Sequence, residues 1–224
     1  MSQKNFLNWL LRVVGLMRRV EINGATIDVL PVVKGLVSEE SAVERVFELV
    51  RPEVVGISIS PEELEGLRKK EDYDKYEPSD LEVAYGDLLS TFGMVKIPPP
   101  CYVKALELSE RKGITIVAID MCEEHYTDVY CNCVGAIDLL RESFFVRRLT
   151  RKKFDLSSPR NFVLDWDRKV NASNGFKKLS QMREQYMTER IIQMASIHRK
   201  ILAVVECERA DGIVMNLEKM ASRG

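Results

Sequence analysis

Four short apolar runs, at 25–33, 53–60, 114–119 and 201–207, each stop at a polar or charged residue, and stretches with helical periodicity separate them. Runs that are apolar at successive positions suit strands covered on both faces. Their alternation with helices predicts an α/β fold whose central sheet is mixed or mostly parallel and flanked by helices. Ligands of open α/β sheets bind beyond the carboxyl ends of the strands. Function is therefore read at Lys34, Ser58 and Asp120 and at the cluster of Glu206, Glu208 and Arg209.

The elements between these positions follow from local chemistry. Residues 5–19, NFLNWLLRVVGLMRR, space their polar positions by three and four and predict an amphipathic helix, with an apolar part well short of the roughly 20 residues that span a bilayer. That face suits packing on the core or a second subunit, or a peripheral contact with a membrane surface. Ala25–Val33 reads as a strand despite Pro31. Ser38 is a candidate cap for a helix running to Val50, and Arg51-Pro52 ends it. Glu53–Ser60 is the next strand, and Ser60-Pro61-Glu62-Glu63 opens a helix. A polar, tyrosine-rich stretch (71–78), a helix over 79–92, a Pro98-Pro99-Pro100 break and a helix over 101–112 lead to the strand at 114–119. A long helix is predicted from about 123 to 148, irregular chain over 155–174, a helix over 176–199, a strand over 201–207 and a closing helix over 212–221.

The 224 residues fit one domain, and 34 acidic against 33 basic residues leave a net charge of −1. Only 147–153 concentrates positive charge, so no nucleic-acid partner is expected. Five cysteines without framework spacing suit a reducing cytoplasm. Cys122, His125, Cys131 and Cys133 have zinc-ligand chemistry, but on a helix Cys131 and Cys133 point apart, which favours structural cysteines. Neither His125 nor His198 has a nucleophile signature nearby, and no glycine-rich phosphate loop occurs. Asp120 reads either as a cap of the following helix or as a site carboxylate. Glu206 and Glu208, on one side of an extended strand, could join it as metal ligands or as an acid/base pair, or could pair with Lys34 or Arg209.

Six segments in order, VVKGLVSEES (32–41), RPEVVGISIS (51–60), GITIVAIDMCEEHYTDVYC (113–131), RRLTRKKF (147–154), MREQYMTERI (182–191) and ILAVVECERADGI (201–213), resemble the TraB/PrgY family and especially its archaeal members. That family is related to the Tiki and erythromycin-esterase/ChaN-like proteins, and the resemblance leaves the helix within 1–20 outside. It implies an erythromycin-esterase/ChaN-like core and a site built from G-x-x-H at the first strand end, glutamate at the second and G-x-x-H at the last. Tiki-like relatives are described as metal-dependent proteases. Here those places hold Pro31-Val32-Val33-Lys34, Ser58 and Glu206-Cys207-Glu208-Arg209. Lysine and arginine do not ligate metals at neutral pH, so the resemblance implies no family-type metal centre and no cofactor. The expectation is a homodimeric, non-catalytic binding or regulatory protein presenting Lys34, Ser58, Asp120, Arg183 and Arg209 to an anionic small molecule or peptide. The alternative is a metal-dependent, peptidase-like hydrolase rebuilt on Asp120, Glu206 and Glu208.

Overall fold

An Asn23-Gly24 turn, with φ of 52° and 75°, joins β1 (Arg18–Ile22) to β2 (Ala25–Val32) as an antiparallel hairpin in which Ile22 faces Ala25. Two residues with positive φ match the twist of the flanking strands, and Asn-Gly adopts that conformation at low cost. The computed structural model describes residues 17–70, 77–148 and 152–222. The helix predicted over 5–19, and the oligomer or membrane contact expected of it, lie outside the described residues as far as 16. Arg18 and Arg19 correct that expectation, because Val20 and Ile22 alternate inward and draw them into a strand. Asp28, buried in β2, is held by a forked Arg19 from the opposite position of β1, at 2.8 and 3.0 Å.

The remaining elements are α1 (Glu39–Val50), β3 (Val54–Ile57), α2 (Pro61–Lys69), α3 (Asp80–Ser90), α4 (Pro100–Lys112), β4 (Thr115–Ala118), α5 (Glu123–Cys133), α6 (Ala136–Arg147), α7 (Pro159–Val170), α8 (Asn174–Ala195), β5 (Lys200–Glu206) and α9 (Cys207–Ala221). The five strands among the described residues form one mixed sheet in the order β1-β2-β5-β3-β4, parallel throughout except for β1. An α/β fold with a mostly parallel sheet between helices is thus what the apolar runs encode. Leu202 and Val204 of β5 pack with α1, α2 and α4, while Ile201, Ala203 and Val205 pack with α8 and α9. Pro31 lies beyond Val29, the last residue of β2 paired with β1, so its missing N–H breaks no ladder there.

Several boundaries differ from the sequence expectation. Residues 155–174 are not irregular throughout: Ser158 Oγ accepts the Asn161 N–H, Pro159 opens α7, and Phe162, Val163 and Trp166 bury one face. Burial of these rings against Phe154 and Tyr85 outweighs the modest helix propensity of the Asn- and Asp-containing segment. The helix predicted over 123–148 breaks at Val134 and Gly135, where Val134 is extended and buried and the Gly135 N–H donates to Asp138 Oδ2 at 3.0 Å. Ser38 precedes α1 without a side-chain capping bond. The closing helix begins at Cys207 rather than Gly212, since Cys207, Ala210, Val214 and Leu217 already share the buried face.

Gly56, inside β3, is a close-approach position: a Cβ there would lie 2.9 Å from Ile119 Cγ2 and 3.3 Å from Met194 Cε. Overpacking of this kind costs about 1–3 kcal/mol. Gly56→Ala is therefore expected to lower the unfolding free energy by about that amount, read as a reduced urea midpoint with an unchanged slope.

Candidate functional site

Strand order decides which strand ends meet. With β5 between β2 and β3, and β4 beyond β3, the chain positions following all four parallel strands lie along one edge of the sheet. Glu206 is the last residue of β5 and pairs across to Val32, Lys34 follows β2 by two residues, Ser58 directly follows β3, and Asp120 follows β4 by two.

Glu206 is the centre of this edge. Its buried carboxylate accepts from Lys34 Nζ at 3.4 Å, and its other oxygen lies 3.8 Å from Arg183 Nη2. Burial alone would raise its pKa, but Lys34, Arg183 and Arg209 outweigh that and hold it below the ordinary glutamate value. The backbone N–H of Glu206 donates to Ser58 Oγ at 3.0 Å, and that hydroxyl shares a 2.7 Å hydrogen bond with the Tyr102 hydroxyl. Ser58, 1% exposed, thus stitches β3, β5 and α4 together.

Arg183, from α8, spans two carboxylates. It bonds Asp120 through Nε and Nη2 and reaches Glu206, with Tyr126 5.9 Å from its guanidinium. Burial opposes its charge, yet Glu206 and Asp120 raise its pKa further. Asp120 does not cap the following helix: it accepts the adjacent Met121 N–H, and Cys122 occupies the cap position of α5. Arg209, on α9, is buried and donates to Asp167 of α7 and Glu184 of α8, while its Nε has no acceptor among the described residues.

The strand reading of Glu206 and Glu208 is corrected by the helix start. Glu206 ends β5 and Glu208 stands in the first turn of α9, so they do not alternate along one strand. Burial, then the charge of Glu206, pushes the Glu208 carboxyl up to about 7. Lys34, although pulled down by burial, keeps a raised pKa because Glu206 and Glu63 face it.

A cleft of about 380 Å³ opens over these groups. Lys34, Arg183, Glu206, Glu208 and Arg209 line its charged side, and Tyr85, Val95, Ile97, Pro99, Val163 and Trp166 its apolar side. An adjoining recess of about 220 Å³ shares Lys34 and adds Ile59, Leu67 and Tyr102. Ser58 and Asp120 stand behind the lining. Lys96 also lines the cleft, and Lys34, Arg183 and Arg209 are each matched by carboxylates. Lys34 is the most open of the three cations, its side chain 40% exposed against 21% and 6% for the arginines.

Asp167, Glu184 and Tyr102 complete the network without having stood out in the sequence. Asp167 fell in the stretch read as irregular, although Ser158-Pro159 before Phe162 and Trp166 marks a helix start. Among the described residues, no group of three or more His, Cys, Asp or Glu side chains is arranged to hold a metal ion. Of the zinc candidates, His125 packs edge-on to Tyr186, Cys133 lies beside Met182, and Cys131 is exposed rather than buried.

Two outcomes check this geometry. Ser58→Ala strands a buried N–H and the Tyr102 hydroxyl, at about 1–3 kcal/mol for an unsatisfied group. Tyr102→Phe should therefore cost less in the Ser58→Ala background than in the wild type, measured by a double-mutant cycle of urea unfolding. Glu208 has a folded pKa of about 7 against an ordinary 4.5. Across that window the folded chain holds a proton the unfolded chain has released, so stability falls as pH rises and levels off above about 7. Glu208→Gln is expected to remove this part of the fall, its advantage over wild type growing from about pH 5 to neutrality and then holding constant.

Neither a scan against protein-family models nor a search of curated proteins returned a match to this chain.

Proposed function

We propose that the protein is a TraB-like binding or regulatory protein on an erythromycin-esterase/ChaN-like scaffold, with no catalytic metal, and that its cleft takes a small anionic ligand or a short peptide. The observation that carries this reading is Arg183, which bridges Asp120 and Glu206, the acids a rebuilt metal site would need. A guanidinium between two carboxylates satisfies them and excludes a divalent cation from the same oxygens. Lys34 is placed to meet a ligand: its pair with Glu206 is long, its ammonium borders both recesses, and Lys96 lines the same cleft. A ligand carboxylate or phosphate joins Lys34 opposite Glu206, its apolar part lying against Tyr85 and Trp166.

One observation favours the alternative of a hydrolase with an acidic site. Glu206 is held below the ordinary carboxylate range and Glu208 is raised to about 7, and carboxylates driven apart in this way suit acid and base roles.

Titration calorimetry separates the two. Inorganic phosphate or a dipeptide such as Ala-Ala is expected to bind the wild type, and Lys34→Ala to weaken it about tenfold or more, the worth of a charge-assisted hydrogen bond. Peptide hydrolysis that requires added zinc or manganese, and is lost in Asp120→Asn and Glu208→Gln, would overturn the binding-protein reading.

A further inference from the structure

Helix α6 buries no residue. Asp138, Arg141, Glu142 and Phe145 border a recess shared with Lys169, Ser173 and Phe176. Asp138 is engaged there by the N–H groups of Gly135 and Gly175. The other side carries Ile137, Leu140 and Phe144, again three and four apart and 68%, 59% and 57% exposed. By helical spacing Arg148 continues that stripe and Arg147 flanks it, while Arg141 stands between the stripe and the recess it borders. All three arginines are exposed, and none is ion-paired among the described residues. Both acids of the helix thus lie on the recess side, and Arg147 and Arg148 lie with the apolar stripe.

The basic character extends past the helix. Five of the seven residues from 147 to 153 are Lys or Arg, in a chain whose net charge is −1. Lys152 comes back against the recess side of α6, its Nζ 5.4 Å from the Phe145 ring.

We propose that this face of α6 is a docking surface for an anionic lipid bilayer. The helix lies in the plane of the interface, with Ile137, Leu140 and Phe144 inserted below the headgroups. Arg141, Arg147 and Arg148 extend along the apolar surface to reach lipid phosphates. Charge complementarity selects this occupant over a second copy of the chain, since a self-complementary contact through the stripe would bring like-charged arginines together in an apolar interface. The contact is peripheral: no helix among the described residues is long and apolar enough to cross a membrane. Each Lys or Arg near an anionic surface contributes about 1 kcal/mol, so three arginines account for on the order of a hundredfold in partitioning.

Sedimentation of the full chain with vesicles tests the proposal. Binding is expected with phosphatidylcholine–phosphatidylserine vesicles, weak with phosphatidylcholine alone, and reduced by salt. Arg141→Gln, Arg147→Gln and Arg148→Gln combined should lose about a hundredfold, and Ile137→Ser, Leu140→Ser and Phe144→Ser combined should abolish sedimentation. Because these side chains are exposed, both triple variants should keep the wild-type circular dichroism and unfolding midpoint. Equal binding to both vesicle types would overturn the proposal, as would binding that survives both sets of substitutions, which would place the contact elsewhere, residues 1–16 included. Failure of the wild type to sediment overturns it as well. An oligomer that the apolar triple variant dissociates in light scattering, without vesicle binding, would assign the face to a second copy instead.

Discussion

A single buried carboxylate, Glu206, sets the terms for the edge of the sheet around it. An ionised group in a protein interior must be matched by opposite charge and hydrogen bonds or it loses its proton. Glu206 stands at the end of the central strand and draws its compensation from three directions: Lys34 beyond β2, Arg183 from α8 and the more distant Arg209 on α9. Each of those cations then needs an acid of its own, which accounts for Asp120, Asp167 and Glu184. The polar network extends outward until it reaches solvent at Lys34 and the cleft.

The network also divides labour between fixed and movable charge. Arg183 and Arg209 are forked donors engaged by two carboxylates each, and displacing Arg183 would strand the buried Asp120 and Glu206. Lys34 is a point charge on a flexible stem with one long partner, and a ligand anion can share it without undoing the rest. The aromatic cluster of Tyr85, Phe154, Phe162 and Trp166 holds α7 against α3 and so fixes the opposite wall. The cleft thus combines fixed walls with the mobile ammonium groups of Lys34 and Lys96.

The strands were legible because parallel strands buried on both faces must be apolar at successive positions, and β3, β4 and β5 stand where such runs occur. Lys34, Glu206, Glu208 and Arg209 could be placed at the cleft for the same reason, once strand ends were taken as ligand positions. Other features depended on contacts the one-dimensional pattern does not carry. α7 forms because its rings are buried by partners far along the chain, and Asp167 enters the site only through it. Ser58 and Asp120 share strand-end positions with the lining residues but are turned inward by Tyr102 and Arg183. The hairpin was signalled by Asn23-Gly24, and the polar spacing before it drew Arg18 and Arg19 into a helix reading instead.

The strand order carries a consequence for how the chain reaches this state. β5, the last of the five strands in sequence, occupies the middle of the sheet, and both β2 and β3 pair with it rather than with each other. During synthesis from the N-terminus, β2 and β3 each wait with an unpaired apolar edge until residues 200–206 emerge. Such edges invite pairing with other chains. Closure of the sheet's centre thus requires the strand that also delivers Glu206.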